Sequence, residues 1–248
     1  MQKTELLLLV LSALAALLHG MSGFGFPMMS TAALAMFYPL KYAIALVAIP
    51  CIILNISLLR AGASHPFIHY LKRYSGLIVS SLVGSFIGVS LLLYVSEAYL
   101  KLLMGTVILL YIADQFRTTP IQLSHSMPNM TLFGGLAGII GGATNAMAPF
   151  LMMYLLSTKH QKNDVVIISN MSFLASKLVQ LVMLTPIILT FQTTQLYLLI
   201  LITITALIFV YVGSRIRGRM SQSAFNMMIF IALGLLGMNA IWQGFQQL

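Results

Sequence analysis

His19-Gly-Met-Ser-Gly-Phe-Gly-Phe-Pro27 interrupts a hydrophobic stretch running from about residue 5 to residue 37, and Gly141-Gly-Ala-Thr-Asn-Ala-Met-Ala-Pro149 interrupts a second, from about 129 to 157. A bilayer core about 30 Å thick takes about 20 apolar residues as helix, so each stretch is too long for one simple span. Each also carries a glycine- and proline-marked break near its middle, where an α-helix is expected to stop. Paired interrupted segments in corresponding places of two halves are the sequence sign of a transporter's binding site. Six further apolar stretches, about 41–59, 74–95, 98–114, 164–185, 195–214 and 222–245, bring the number to eight. They are long and continuous, unlike the alternating strands of about ten residues that build a membrane barrel. The expected fold is an all-α polytopic membrane protein.

Composition agrees. The chain is 60% hydrophobic and 7% charged, with a mean hydropathy of +0.99, whereas a soluble domain carries about 25% charged residues. Its formal charge of +9 sits in short clusters between apolar runs, with no basic face interleaved with aromatics, so no nucleic-acid partner is expected; the partners implied are a lipid bilayer and a small ligand. Cys51 is the single cysteine. It excludes an internal disulfide, and without Cys/His metal spacing no metal or cofactor is expected. The N-terminus has the basic start and apolar run of a signal peptide, but Glu5 interrupts the basic region and the apolar pattern continues to Tyr38, so it is read as retained.

A shift of 122 residues superposes the two broken stretches, pairing Leu14 with Leu136, Ala15 with Ala137, Gly20 with Gly142, Ser22 with Thr144 and Pro27 with Pro149. It also carries Asn55 onto Lys177, and a further gap of three pairs Gly88 with Gly213 and Asp114 with Asn239. The expectation is one transmembrane domain over residues 1–248, with internal repeats at about 1–116 and 127–248. If the broken stretches span simply, the loop cations divide five (Lys3, Arg60, Lys72, Arg73, Arg117) against seven (Lys41, Lys101, Lys159, Lys162, Arg215, Arg217, Arg219). If both are re-entrant hairpins, Lys3, Lys41 and Lys101 oppose the other nine, the bias that the positive-inside rule describes. His65, His69, His125 and His160 then join the richer side. The hairpins also leave three full spans per repeat, which makes the repeats inverted. Both arrangements place the termini outside.

A broken membrane helix offers free N–H groups at the start of its second arm, where the helix dipole is positive. Gly20, Gly23 and Gly25 would let backbone approach a ligand, and Ser22, Gly142, Thr144 and Asn145 belong to the same two tips; the competing role for such glycines is close helix packing. Lys177 lies well inside the sixth stretch, where a cation is costly and by default functional, although snorkelling towards the interface is the alternative. Asn55 and Asn170, on the helices after the tips, could bind ligand or join helices. His19 can titrate near neutrality and so offers proton coupling, or it packs with a hydrogen bond. The four acids, Glu5, Glu97, Asp114 and Asp164, lie near segment ends. With Lys177 unmatched by a mid-membrane carboxylate, the favoured substrate is a small anion, carried by a secondary transporter; a passive anion channel is the alternative. Gly20-Met-Ser-Gly23 also matches the G-x-S-G of intramembrane serine proteases, which need a base within reach of the serine.

The glycine-rich break before Pro27, its counterpart before Pro149, the polar-dotted helix after each and the two four-segment halves resemble the sulfite exporter TauE/SafE family, also grouped with toluene-sulfonate uptake permeases. The resemblance covers nearly the whole chain. It implies a non-enzymatic permease of a bacterial-type inner membrane for sulfite, sulfonates or related sulfur-containing anions. The chain departs from the family's denser glycine runs at His19, Met21, Phe24 and Phe26, and has Ala48-Ile-Pro50 where a Thr-Ser pair is usual. Nothing in these residues specifies an oligomeric state.

Overall fold

The computed structural model describes residues 3–59, 66–117, 123–158, 162–216 and 222–248. The loop residues Arg60, His65, Lys159, His160, Arg217 and Arg219 lie outside them. The described residues form helices α1 (Lys3–Ser22), α2 (Phe26–Leu34), α3 (Leu40–Leu59), α4 (Phe67–Arg73), α5 (Ser75–Tyr94) and α6 (Glu97–Gln115) in the first half of the chain. In the second half follow α7 (Met127–Thr144), α8 (Ala148–Ser157), α9 (Lys162–Met183), α10 (Thr185–Ile188), α11 (Thr193–Ile216) and α12 (Gln222–Gln246). Among the described residues, five helices are long and apolar enough to cross a membrane: α1, α3, α5, α9 and α11. The protein is an all-helical integral membrane protein.

Each broken stretch becomes a long arm and a short one. The first arms, α1 and α7, have 20 and 18 residues, the second arms, α2 and α8, 9 and 10. The breaks therefore fall later than the middle of each stretch. The reason is local: Gly20 and Gly142 stay helical, and the chain leaves the helix only at residues with positive φ, Gly23 (87°) and Gly25 (108°) in one case and Asn145 (63°) in the other. Pro27 and Pro149 then open the second arms, where their missing N–H costs nothing and their fixed φ suits the first turn. Ser22 Oγ accepts from Phe24 N (3.3 Å) and lies within reach of the Leu18 (2.8 Å) and Phe24 (2.7 Å) carbonyls. Thr144 Oγ1 likewise donates to Ile140 O (2.7 Å) and accepts from Ala146 N (3.2 Å). These two caps use corresponding residues.

Helix α5 lies along α7 and α1 along α11, while α3 packs against α9 and α6 against α12. At the α5–α7 crossing, a Cβ on Gly88 would stand 2.1 Å from Ile139 O and one on Gly142 2.6 Å from Ser85 O. At the α1–α11 crossing, a Cβ on Gly213 would stand 2.2 Å from Leu17 O and one on Gly20 2.2 Å from Val210 O. The shift that carries Gly20 onto Gly142 also carries Leu17 onto Ile139, and the gapped shift that carries Gly88 onto Gly213 carries Ser85 onto Val210. The four partners of one crossing are thus the counterparts of the four partners of the other. Without Cβ atoms the backbones touch, the small-residue packing that membrane helices use in place of a hydrophobic driving force.

Lys101 differs from its reading as a loop charge. It lies in the second turn of α6, 3% exposed, paired with Glu97 (2.8 Å) and donating to Gln243 Oε1 on α12 (2.8 Å).

Candidate functional site

Helix α9 carries a stripe of buried polar residues, Ser169, Asn170, Ser176, Lys177 and Gln180, at the spacings that share a helix face. Lys177 lies about 5 Å from the midpoint of the Asp164–Met183 span, taking 1.5 Å per residue. It is 4% exposed, so it does not snorkel to an interface.

The ammonium donates to Asn145 Oδ1 and to Gln180 Oε1 (2.5 Å). Both acceptors are neutral amides. Among the described residues no carboxylate pairs with Lys177: Glu97 holds Lys101, Asp114 holds Arg117, and Asp164 accepts from Tyr70 Oη at 2.6 Å. Gln180 is itself anchored, its Nε2 donating to Asn145 Oδ1 (2.8 Å), Gly141 O (3.1 Å) and Gly142 O (3.3 Å). Those carbonyls belong to the last turn of α7, where the helix runs out of donors and Gly141 O also accepts from Asn145 N (2.9 Å). The negative end of α7 thus supports the ammonium.

The two tips share one cavity. Gly25, Pro27 and Met28 line it from the first, Gly141, Asn145, Met147 and Ala148 from the second, and Phe173, Ser176 and Lys177 complete it from α9. Its volume is about 10 Å³, room for about one water and too little for a multi-atom anion. The site is closed in this conformation.

Of the residues singled out in the sequence, Gly25, Asn145 and Lys177 line this cavity. Asn170 joins the two halves of the chain, its Nδ2 donating to Gly23 O (3.1 Å) and to Val166 O (2.7 Å). His19 Nδ1 accepts from Phe26 N at 3.3 Å and its ring meets Phe26 edge-on, so the histidine helps close the first turn of α2. Ser22 and Thr144 cap the tips, and with His19 they already engage several of the backbone N–H groups expected to face a ligand. Gly20 and Gly142 sit at the helix crossings. Asn55 is buried on α3, and neither of its side-chain polar atoms has a hydrogen-bond partner among the described residues; it is not in the cavity wall.

Sequence reasoning missed Gln180, Ser176 and Thr31. Ser176 Oγ accepts from Ser85 Oγ (2.7 Å), fixing α9 to α5. Thr31 Oγ1 accepts from Asn145 Nδ2 (2.6 Å). The periodic polar stripe of α9 was available as a signal for Ser176 and Gln180. Thr31 follows Ser30 in a nine-residue helix that is otherwise apolar, and gave none.

The model of the family described as sulfite exporter TauE/SafE matches residues 8–240. No curated protein and no solved structure matches the chain.

Proposed function

The chain belongs to the sulfite exporter TauE/SafE family, and from that premise we propose that it is a secondary transporter of a small sulfur-containing anion, sulfite or a sulfonate, bound at Lys177 between the two tips. The observation that carries this reading is the ammonium of Lys177, buried near the middle of a membrane span with only neutral oxygens for partners. A buried charge is costly until an opposite charge reaches it, and a permeant anion is the charge that comes and goes. Lys177, Asn145 and the N–H groups of the tips bind it; Ser22 and Thr144 hold the tips in shape.

Both broken segments are re-entrant hairpins in this proposal, and the halves are inverted repeats. Support comes from the ends of each hairpin. His125, just before α7, hydrogen-bonds Tyr154 Oη near the end of α8 at 3.0 Å, a contact that supports a return of the segment towards the face it left. In the first half, the Tyr38 hydroxyl beyond α2 is pushed above its ordinary pKa by burial and then by the Glu5 carboxylate at the start of α1. The recurrence of caps and crossing partners at the 122-residue shift and its three-residue gapped continuation supports the duplication. The cation bias then places both termini outside an inner membrane. Transport proceeds by one half moving against the other about the site.

A passive channel needs a continuous opening, whereas the cavity between the tips has room for about one water. A serine hydrolase needs a base on Ser22, yet that hydroxyl is turned to its own backbone and His19 Nδ1 is engaged by Phe26 N. The deciding experiment is uptake of labelled sulfite and several small sulfonates into proteoliposomes, with and without a pH gradient. Saturable flux is expected; flux that rises without limit indicates a channel, and flux no greater than in empty liposomes overturns the reading.

A further inference from the structure

Asn145 is the described non-glycine residue with positive φ (63°), and it is 3% exposed. Its side chain leaves the hinge between α7 and α8 in a direction set by that backbone. The two ends of its amide serve different halves of the molecule. Oδ1 accepts from Lys177 Nζ and Gln180 Nε2 in the second half. Nδ2 donates to Thr31 Oγ1 on α2, in the first half. The counterpart hinge has Gly23 at the corresponding position, with no side chain, and is tied across the molecule by Asn170 Nδ2 on its carbonyl oxygen. Each hinge is therefore hydrogen-bonded to the opposite half through an asparagine amide, but only the second reaches the ammonium with the same group.

We propose that Asn145 is a positioning residue that transmits occupancy of the anion site to the first half of the chain, through its bond to Thr31. The inference rests on the anion site assigned above. An anion arriving at Lys177 takes the N–H donor that the two amides leave open and, as it draws the ammonium towards its other oxygens, competes with Asn145 Oδ1 and Gln180 Oε1 for the remaining two. Oxygen and nitrogen of the asparagine belong to one planar group, so Oδ1 cannot shift without moving Nδ2. With the backbone fixed at the hinge, that movement falls on the Thr31 bond and hence on α2. Because α2 forms the opposite wall of the cavity through Pro27 and Met28, loosening it opens the closed site. An effect of this kind alters the rate of the conformational step more than the contact with the ion.

The test is sulfite transport in proteoliposomes, reading KM and maximal rate separately. Thr31→Val keeps the shape and removes the acceptor; its expected effect is a maximal rate changed about tenfold with KM within about twofold, as for loss of one buried coupling bond. Thr31→Ser restores the hydroxyl and is expected to recover the rate to within about twofold. Asn145→Gly reproduces the other hinge and suits the positive φ. In that background Thr31→Val is expected to add less than about twofold, because interacting residues are not additive. A Thr31→Val protein with unchanged rate, a change confined to KM, a serine variant as impaired as the valine one, or full additivity with Asn145→Gly would each overturn the proposal. If Thr31→Val does not fold, Thr31→Ser against Thr31→Ala in the same assay supplies the comparison, and equal rates overturn it. Absence of saturable sulfite flux in the unmodified protein, or sulfite binding undiminished in Lys177→Gln, instead overturns the site assignment on which the inference stands.

Discussion

Substituting alanine at Gly88 and, separately, at Gly213 tests the architecture that holds the site. The new Cβ would stand 2.1 Å from Ile139 O in the first case and 2.2 Å from Leu17 O in the second, where ordinary contact begins at 3.4 Å. Relief requires the two helix axes to part by about 1 Å, because both partners are backbone and cannot rotate away. Overpacking of this kind costs about 1–3 kcal/mol, and for a chain of this size about 2 kcal/mol lowers a melting midpoint by about 4–8 °C. The two losses should be similar, since the crossings use corresponding residues, and should add in the double variant, since the crossings share no residue. Gly135 is the control. A Cβ there meets nothing within 4 Å, so Gly135→Ala should be neutral or stabilise by up to about 1 kcal/mol through helix propensity. The assay is the thermal midpoint of monodisperse protein in detergent. If Gly88→Ala and Gly213→Ala melt with Gly135→Ala, the backbone-to-backbone crossings are wrong, and with them the placement of both tips.

Lys177→Ala should leave the protein folded and lower saturable sulfite flux at least about 30-fold, the usual cost of removing one partner of a buried charge pair; unchanged flux refutes its role. Gln180→Glu should give the ammonium an internal counter-ion and raise the sulfite KM by at least about tenfold while the melting midpoint holds or rises, whereas an unchanged or lowered KM would refute the role of the uncancelled charge. His125 has its pKa held below the ordinary 6.5, first by burial and then by the Arg73 charge, so its folded form binds protons less readily than the unfolded chain. Its contribution to stability is complete above the unfolded value and is lost as pH falls through the folded one. Melting midpoints at pH 7.5 and 5.5 should therefore differ less in His125→Gln than in the unmodified protein, and equal differences would remove the histidine from the hairpin's acid response.

The breaks, the helix order and the depth of Lys177 were legible because lipid punishes each in a simple way: a stretch of 29 to 33 apolar residues with glycine and proline inside it has few ways to sit in about 30 Å. The role of Gly20 and Gly142 was not. A glycine that admits a ligand and a glycine that admits a neighbouring helix are the same residue in sequence, and only the carbonyls of Val210 and Ser85 against them tell which is which. Gln180 was legible in principle, three residues beyond Lys177 on one helix face, but glutamine near the end of a span reads equally well as an interfacial residue. Thr31 could be found only from the fold, because its significance lies in a partner 114 residues away.

Among the described residues two lysines are buried, and their contrast bears on mechanism. Lys101 has Glu97 at 2.8 Å and Gln243 at 2.8 Å; its charge is cancelled within the protein, and it fastens α6 to α12. Lys177 has the amides of Asn145 and Gln180 and no acid. A carboxylate beside Lys177 would stabilise the empty site through a charge-assisted pair and would have to be displaced by any incoming anion. Amide oxygens engage two of the ammonium's three donors without cancelling its charge, so the attraction for an anion survives while the empty site stays hydrogen-bonded. Release would also be served, because the same amides can return to those donors when the ion departs. In the proposed site, the neutral partners of Lys177 are what would let one side chain hold an anion firmly enough to select it and loosely enough to let it leave.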